Sequence, residues 1–359
     1  MRLALDGTPL LGRPTGVGRY VDGLVRALAV LPDAPEVVVS AFSLRGIDRP
    51  PPPGTRWNSR RFPARVLQAA WDRWDTPPAE WLTGPCDVFH ATNYVLPPLR
   101  KAAGVVSVHD LSFDRHPDTV DAQVLRYQTL VPRGLARARV VLTLTEATAV
   151  EVQERYDHPQ VMVARPGVDP AWFADQPAPE GLPPTAGFPS TAGFPSTYML
   201  FVGSVEPRKN LPVLVDAVRR MSSPPPLVLA GPAGWGPELD TTGIEVIRTG
   251  YLDDAALRSV VAHAAVLGFP SRHEGFGLPP LEALACGTPV VVSDLPVLRE
   301  VLGDQAAYVP VDDAEALAVA LQTALDAPGD PDARRAHART WTWERCAREA
   351  MTAYTTALA

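Results

Sequence analysis

The sequence predicts an α/β protein with two doubly wound parallel-sheet domains. Its 359 residues exceed what one ordinary core needs, and a hydrophobic content of 46% is enough for two cores. Short β-branched runs alternate with longer helical stretches along the whole chain, which is typical of parallel sheets covered by helices. A stretch rich in Pro, Gly, Ala and Ser separates the two halves.

The first half contains six predicted strands with helical stretches between them. The strands are Leu3–Leu5, Val37–Ala41, Asp87–His90, Val105–His109, Val140–Thr143 and Val161–Ala164. The helices are Gly18–Leu31, Ala64–Trp74, Ala122–Arg137 and Glu146–Arg155. We expect the residues from 49 to 83 to be irregular apart from the helix Ala64–Trp74.

The second half repeats the same alternation. Its predicted strands are Met199–Val202, Leu227–Ala230, Glu245–Arg248, Val266–Phe269, Val290–Val292 and Ala306–Val309. Its predicted helices are Leu211–Met221, Asp253–Ala262, Pro279–Ala285, Glu315–Leu325 and a last one that begins near Trp341. We expect an N-terminal domain over 1–168, a flexible linker over 169–197, a C-terminal domain over 198–340 and a terminal helix over 341–359. The linker carries Thr-Ala-Gly-Phe-Pro-Ser twice in tandem, at 185–190 and 191–196.

The segment from Glu274 to Glu282 is the most informative motif. Gly275 and Gly277 let the backbone adopt unusual conformations or approach a ligand closely, and a prolyl helix start follows. We therefore expect Glu274 in a loop and Glu282 in the first helical turn, both facing a crevice with free backbone N–H groups. Such a crevice suits a ligand with hydroxyls and phosphates. The simpler alternative is a surface loop and a helix whose Glu282 complements the helix dipole.

A second motif runs from Phe201 through Gly203 to Arg208, Lys209 and Asn210. Asn210 is the predicted N-cap of the helix after it, so the two cations stand exposed at the positive end of that helix. That position is unfavourable unless a polyanion binds there. Lys209 is one of only two lysines among 33 Lys and Arg residues, the other being Lys101, and a compact ammonium suits a diphosphate. A solvated basic turn is the alternative.

These motifs resemble the GT4 family of retaining glycosyltransferases with GT-B architecture. Glu274 and Glu282 match its E-x7-E signature, and Gly203-Ser-Val-Glu-Pro-Arg-Lys-Asn is similar to its donor-diphosphate loop. Three further stretches agree in sequence order: Gly16-Val-Gly-Arg-Tyr, Val108-His-Asp-Leu-Ser-Phe and Arg165-Pro-Gly-Val-Asp. The resemblance implies two Rossmann-like domains facing across a cleft, the acceptor on the first domain and the nucleotide sugar on the second. It also implies that the terminal helix crosses back to the first domain.

The resemblance also assigns roles to individual residues. Arg208 and Lys209 would stabilise the leaving diphosphate, and Glu274 would contact the sugar near a cation-like transition state. His109, predicted at the end of a strand, would contact the donor sugar; a hydrogen-bonded core histidine is the alternative. Its neighbour Asp110 would orient the ring or cap the next turn. The remaining donor-binding candidates are Gly16, Gly18, Gly203, Tyr251, Gly275, Phe276, Gly277, Leu278 and Glu282, with Glu282 on the ribose and Tyr251 near the base or only packing.

The expected reaction is transfer of a hexose from a nucleoside-diphosphate sugar without any cofactor or metal ion. Nothing in the sequence resembles an Asp-x-Asp metal cage. The stretch from His90 to Phe113 resembles bacterial mannosyltransferase-like members, which favours GDP-mannose over a UDP-sugar. The acceptor is a glycan, a lipid-linked or a small molecule, and the oligomeric state stays open.

Three other functions remain as alternatives. A nucleotide-sugar epimerase would share the architecture, and a protein that binds nucleotide sugars without catalysis would keep the motifs. The third alternative is a nicotinamide-dependent enzyme, because Gly16-x-Gly18 fits part of a dinucleotide-binding fingerprint, although its third glycine is missing.

Composition limits the partners and the compartment. A formal net charge of −7 argues against a nucleic-acid binder. Three widely spaced cysteines favour a reducing compartment, and no apolar run reaches the length of a spanning helix or signal peptide, so we expect a cytoplasmic protein. Arginines and tryptophans between Arg56 and Trp81 predict either inward-packed aromatic rings or an acceptor-side or weak membrane-surface contact.

Overall fold

The structure is a computed structural model that describes residues 1–13, 15–44, 50–58, 60–179 and 194–359. It divides into two compact units. Unit 1 comprises Met1–Arg115, Ala122–Gly167 and Trp341–Ala359, and unit 2 comprises His116–Asp121 and Val168–Thr340. The first copy of the tandem repeat and half of the second lie outside the described residues.

Unit 1 is built on a seven-stranded parallel sheet with the strand order β3-β2-β1-β4-β5-β6-β7. The chain order reverses between β1 and β4, and the carboxyl ends of strands at such a point form a natural crevice. The strands are β1 Arg2–Asp6, β2 Glu36–Ser40, β3 Thr55–Trp57, β4 Val88–Ala91, β5 Ala103–Ser107, β6 Val140–Thr143 and β7 Val161–Val163.

Helices cover both sides of this sheet, and the last helix of the chain packs against the first. They are α1 Gly16–Ala29, α2 Ala64–Trp74, α3 Glu80–Thr83, α4 Ser112–Arg115, α5 Ala122–Leu125, α6 Tyr127–Leu135, α7 Glu146–Tyr156 and α14 Trp343–Leu358. The α1–α14 contact depends on Gly23, where an added Cβ would lie 2.4 Å from the indole ring of Trp343. Tyr354 of α14 hydrogen-bonds the Nδ1 atom of buried His90 at 2.8 Å.

Unit 2 is built on a six-stranded parallel sheet with the order β10-β9-β8-β11-β12-β13. Its strands are β8 Met199–Val202, β9 Leu227–Ala230, β10 Val246–Gly250, β11 Val266–Phe269, β12 Val290–Ser293 and β13 Ala307–Val309. Its helices are α8 Leu211–Arg220, α9 Asp254–Ala262, α10 Leu278–Cys286, α11 Pro296–Leu302, α12 Ala314–Asp326 and α13 Pro331–Ala338. The order reverses between β8 and β11, where the two motif loops of this half begin.

Each of the twelve predicted strands is present, with ends within two residues of the prediction, so the predicted α/β class of paired parallel sheets is confirmed. The differences lie where side-chain pattern is weak. The stretch predicted as irregular contains the edge strand β3 and the short α3. The predicted helix Ala122–Arg137 is broken into α5 and α6, and α11 and α13 were missed. His109 was predicted to end a strand, but β5 ends two residues earlier at Ser107.

Inward packing of the tryptophans, one of the two alternatives predicted for the stretch around α2, is wrong for two of them. Trp71 is buried, but Trp74 is 67% exposed and Trp81 is 58% exposed. Both lie beside arginines: the guanidinium of Arg73 stands 6.0 Å from the centroid of the Trp74 ring, and Arg60 hydrogen-bonds the carbonyl of Trp81.

Candidate functional site

Two loops of unit 2 are held together at the carboxyl edge of its sheet. One follows β8 and carries Arg208, and the other follows the neighbouring strand β11 and carries Glu274. The backbone N–H of Arg272 donates to the carbonyl of Arg208 at 2.9 Å, and Arg208 Nη1 donates to the carbonyl of His273 at 2.9 Å. These bonds hold the cations of the first loop against the acid of the second.

Lys209, Arg208 and Glu274 form a buried ionic cluster, to which Glu206 adds a fourth charge. Lys209 Nζ lies 2.6 Å from Glu274 Oε1, and Arg208 Nη1 lies 3.2 Å from Glu274 Oε2. Arg208 Nη2 lies 3.4 Å from Glu206 Oε1. Both oxygens of Glu274 therefore bind cations, and two acids balance two bases. Glu206 was not among the predicted site residues, although it lies inside the diphosphate-loop motif.

The expectation that Arg208 and Lys209 stand exposed is wrong. Lys209 is 9% exposed and Glu274 is 7% exposed, so this is a partly desolvated ion pair and not a solvated basic turn. The Nζ atom of Lys209 also lies 4.8 Å from the centroid of the Phe269 ring, close enough for a cation–π contact.

Electrostatics keep the Glu274 carboxyl ionised in this cluster. Burial raises its pKa, but the opposing effect of Lys209 and Arg208 is larger in sum, and the pKa lies below its usual value of 4.5. Burial lowers the pKa of Lys209, and Glu274 opposes that effect. The carboxylate is thus a hydrogen-bond acceptor whose negative charge is largely neutralised before any ligand binds.

Asn210 occupies the position before α8, as predicted, but it does not cap the helix with its side chain. Its φ of 57° places it in the left-handed region, which Asn tolerates better than most residues. The side-chain amide instead donates to the carbonyl of Pro270 at 3.1 Å and to Asp312 Oδ1 at 2.9 Å. Asn210 therefore braces the loop after β11, which the sequence pattern did not indicate.

Glu282 lies one turn later in its helix than predicted. Helix α10 begins at Leu278, so Glu282 is its fifth residue and falls in the second turn, where it is 5% exposed. Gly277 precedes the helix at φ 93°, and an added Cβ there would lie 2.7 Å from Leu298 Cδ2.

The start of α10 also offers fewer backbone donors than expected. Pro279 and Pro280 carry no N–H, so the donors at this end come from Gly277 and Leu278. Of the other residues in this loop, Phe276 is buried and packs in the protein, and Gly275 precedes it.

The other predicted donor-binding residues of unit 2 lie at the ends of its strands. Gly203 follows β8 with φ 150°, and it is closely approached by the loop after β9, because a Cβ on Gly231 would lie 2.1 Å from the Gly203 carbonyl oxygen. Tyr251 follows β10 and is half-buried.

His109 lies just beyond β5 in unit 1 and is 6% exposed. Its Nε2 atom is 2.8 Å from the carbonyl oxygen of Thr92, which can only accept, so Nε2 carries the proton and Nδ1 is an acceptor. The rings of Tyr20 and Tyr94 meet it edge-on, with centroids at 5.3 and 5.4 Å. Burial lowers the pKa of His109, so the imidazole is neutral at pH 7.

Of the two roles predicted for Asp110, the structure shows the cap. Its Oδ1 atom accepts from the backbone N–H of Ser112 at 2.9 Å and from the Ser112 hydroxyl at 2.7 Å. This pair fixes the start of α4.

Gly16 and Gly18 open helix α1 and do not form a free loop. The Thr15 hydroxyl, a cap that the sequence reading missed, accepts from the Gly18 N–H at 3.2 Å. A Cβ on Gly18 would lie 2.8 Å from the Pro9 carbonyl oxygen, whereas Gly16 has open space around it. Close packing explains why residue 18 is a glycine. Of these two glycines, only Gly16 is accessible to a ligand.

Within the described residues, no group of three or more His, Cys, Asp or Glu side chains has the arrangement of a metal site. In the same part of the chain, no helix is both long enough and apolar enough to cross a membrane.

Comparison with known proteins gives the enzyme class. Residues 196–327 match the family model described as Glycosyl transferases group 1. The chain is 26% identical over 389 residues to O-antigen chain mannosyltransferase B of Escherichia coli, covering 99% of each sequence. The chain is a glycosyltransferase. The predicted enzyme class and family resemblance are thereby confirmed.

Two further likenesses concern a shorter segment and the fold. This glycosyltransferase is 37% identical over 123 residues to a GDP-mannose-dependent alpha-(1-6)-phosphatidylinositol dimannoside mannosyltransferase of Mycobacterium tuberculosis, 32% of each chain. Sucrose-phosphate synthase of Thermosynechococcus elongatus aligns with a TM-score of 0.74 and 20% identity over 99% of this chain and 98% of that one. The fold is thus of the GT-B type, with two Rossmann-like domains.

Proposed function

We propose that this glycosyltransferase moves a hexose from a nucleoside-diphosphate sugar to an acceptor hydroxyl, with retention of configuration and without a metal ion. The observation that carries the proposal is the buried cluster of Arg208, Lys209 and Glu274 at the carboxyl edge of the unit 2 sheet. Ligands of open parallel sheets bind at this edge.

Arg208 and Lys209 stabilise the leaving diphosphate. Because Glu274 and the surrounding loops already hold them in place, little reorganisation is needed when negative charge develops on the leaving group. Preorganised donors of this kind each contribute on the order of 3 kcal/mol to transition-state stabilisation. Two fixed cations can do the work that a divalent ion does in other transferases.

Glu274 orients the sugar and tolerates a cation-like anomeric carbon. Both of its oxygens contact cations, which makes it a weak nucleophile and favours attack of the acceptor on the same face that the diphosphate leaves. In that step the acceptor oxygen bonds to the anomeric carbon, the bond to the phosphate oxygen breaks, and the leaving phosphate takes the acceptor proton. The neutral imidazole of His109 accepts a hydrogen bond from a sugar hydroxyl through its Nδ1 atom.

The nucleotide contacts follow from the same set of loops. Glu282 binds the ribose hydroxyls, and Gly203, Tyr251 and the 275–278 loop enclose the remainder of the donor. In unit 1, Gly16 at the start of helix α1 offers an accessible backbone position to the donor. We propose GDP-mannose as the donor, which the name of the mycobacterial relative supports.

Three proposals about the surroundings of the enzyme accompany this function. The acceptor is a glycan, a lipid-linked or a small molecule. The exposed Trp74 and Trp81 beside arginines support a weak contact with an anionic membrane surface. The three cysteines, Cys86, Cys286 and Cys346, are all unpaired, which fits the cytoplasm.

A thermal-shift screen with GDP, UDP, ADP and dTDP tests the donor site, since a ligand of the native state raises the melting temperature by mass action. GDP is expected to give the largest shift. GDP-mannose with and without acceptor then separates the reaction classes, because an epimerase would convert the donor alone. Absence of any nucleotide-dependent shift would contradict the proposal, and an inverted anomeric proton signal in the product would contradict retention.

A further inference from the structure

Unit 1 contains a cavity of about 310 Å³ at the carboxyl ends of β1 and β4. These two neighbouring strands flank the point where the chain order of the sheet reverses, which is where parallel sheets bind ligands. None of the predicted donor-site residues lines it. The residues that decide its chemistry are Asp6, Gln68, Trp71, Asn93, Arg126 and Tyr127.

The polar side chains of this cavity have unused hydrogen-bonding capacity. Asp6 Oδ1 accepts from the N–H of Thr8 at 2.9 Å and from its hydroxyl at 2.5 Å, and these are the hydrogen bonds of that carboxylate among the described residues. Its Oδ2 atom is left as an acceptor. The side-chain amides of Gln68 and Asn93 likewise have no partner in the described part of the chain, although both residues are half-buried. Polar groups so placed call for a ligand with many hydroxyls.

Fixed aromatic rings form the walls beside these groups. The Nε1 atom of Trp71 donates to the Pro77 carbonyl at 2.8 Å, and the ring meets Phe42 edge-on at 5.1 Å. Tyr127 is stacked on Tyr94 with ring centroids 4.6 Å apart. Such immobilised rings offer flat apolar surfaces that match the C–H faces of a sugar ring at low entropic cost.

Other ligand classes fit less well. An alkyl chain would leave the carboxylate and both amides without partners. A phosphate would meet the negative charge of Asp6, and Arg126 is the one cation among the described residues that line the cavity. A neutral ring with adjacent hydroxyls satisfies the carboxylate, the amides and the aromatic walls together.

We propose that this cavity binds the acceptor as a neutral pyranosyl ring, with Asp6 accepting from its hydroxyls and the amides of Gln68 and Asn93 bonding those that remain. The proposal rests on the proposed transferase function and deepens it, because it selects a glycan end over a free lipid or phosphorylated acceptor group. The cavity also connects to His109: Thr92 donates its hydroxyl to the Asp6 carbonyl at 2.6 Å and accepts from His109 Nε2 at 2.8 Å. One residue therefore fixes the cavity and the histidine relative to each other.

Binding of methyl α-D-mannopyranoside and methyl α-D-glucopyranoside by saturation-transfer NMR tests the inference on the full chain. At least one of the two is expected to bind the wild type. Asp6→Asn and Asn93→Ala should each weaken it about tenfold, the usual effect of losing a hydrogen bond to a charged or desolvated group. Asp22→Asn is the matched control and should bind the glycosides like the wild type. Asp22 is an acidic residue of α1 that pairs with Arg26.

The pH dependence of the same binding separates a direct contact from a structural effect. Burial raises the pKa of Asp6 to about 6, so glycoside binding should weaken as the pH falls through 6, and it should be independent of pH in Asp6→Asn. Arg126, which precedes α6, is the other charged side chain of the cavity lining among the described residues. GDP affinity should be unchanged in both cavity variants.

The outcomes are distinguishable. Wild-type protein that binds neither glycoside, or equal binding by the wild type and both cavity variants, would overturn the acceptor site. Competition by inorganic phosphate at the cavity would overturn the choice of a neutral ring. Failure of GDP to bind the wild type would instead contradict the donor-site proposal. It would not bear on the acceptor site, which the glycoside measurements test separately.

Discussion

At the scale of single residues, the ionic cluster shows that a position near a helix end does not determine exposure. Arg208 and Lys209 precede α8 as the sequence indicates, yet Glu274 and Phe269 of the neighbouring loop and strand bury the lysine. A buried charge that loses its partner is expensive, so stability and ligand binding are coupled at this site.

Lys209→Ala should therefore both destabilise the fold and weaken nucleoside-diphosphate binding. Loss of one partner of a buried ion pair costs about 3–5 kcal/mol, and loss of a charge-assisted contact to phosphate costs about tenfold or more in affinity. Lys101→Ala, which replaces the other lysine on an exposed residue, is the control. Denaturant unfolding and calorimetric titration with GDP measure the two effects; a variant as stable as the control would show that the pair contributes nothing.

Glu274→Gln should have a lower free energy of unfolding than the wild type, by an amount that depends on pH. The pKa of Glu274 in the folded protein lies below its usual value of 4.5, so its contribution is present above pH 4.5 and is lost as the pH falls through the folded pKa. The difference in unfolding free energy between wild type and variant should shrink under acid conditions. A difference that stays constant from pH 7 to pH 3 would contradict the ionised pair.

Substitutions of Glu274 and Glu282 should differ in their effects on kinetics and on nucleotide binding. Glu274→Gln should lower kcat more than it raises the KM for the donor, because charge is removed near the cation-like centre. Glu282→Gln should mainly reduce affinity for free GDP. Steady-state kinetics and titration with GDP measure both; equal losses of GDP affinity would remove this division of roles.

Asp6 should show the opposite pH dependence to Glu274. Because its pKa rises from 3.8 to about 6 on folding, the folded state binds more protons between these values, and stability falls as the pH rises through them. Asp6→Asn should thus become more stable than the wild type by about 1–3 kcal/mol above pH 6, with little difference near pH 3. Chemical denaturation across this range checks the sign, and an Asn variant less stable at pH 8 would refute it.

At the scale of elements, the packing of α14 on α1 depends on a missing side chain. Small residues line the buried face of α14, including Ala347, Ala350 and Ala353, and the indole of Trp343 fills the space above Gly23. Tyr354 adds a buried hydrogen bond to His90, whose pKa burial lowers to about 3, so this ring stays neutral in the contact.

Gly23→Ala should destabilise the protein although alanine favours helix. Its Cβ would lie 2.4 Å from the Trp343 ring, and overpacking of this kind costs about 1–3 kcal/mol. Gly16→Ala, which meets open space in the same helix, is the matched control. Thermal unfolding of both, and of Gly23→Ala combined with Trp343→Leu, measures the effect. Recovery of stability in the double variant is expected, and an undiminished loss would place the strain elsewhere.

At the scale of the whole molecule, two parallel-sheet units each bring chemistry to the carboxyl edge of their own sheet. Unit 2 holds the cluster of cations and Glu274, and unit 1 holds His109 and the cavity at Asp6. The chain carries a formal net charge of −7, so the overall electrostatic field does not attract an anionic nucleotide. Nucleotide binding therefore depends on the local cations.

Nucleotide binding should stabilise the protein as a whole without help from metal ions. GDP at one hundred times its dissociation constant adds about 2.7 kcal/mol to the unfolding free energy. The resulting rise in melting temperature, and transferase activity, should be the same in EDTA as in Mg²⁺ or Mn²⁺. A shift or an activity that needs a divalent ion would contradict the assignment of Arg208 and Lys209 as the groups that neutralise the diphosphate.

The sequence by itself determined the local features of this protein. Short β-branched runs located the strands and helical patterns located most of the helices. The motif spacing placed Gly203, Arg208 and Glu274 after strands, because such patterns depend on near neighbours in the chain. Only the tertiary structure decided which loops meet. The pairing of β8 with β11 brings Lys209 to Glu274 across 65 positions, and the β1–β4 pairing builds the cavity at Asp6. Strand order is set by long-range packing, which no local periodicity encodes, and it alone turned an apparently exposed basic turn into a buried ion pair.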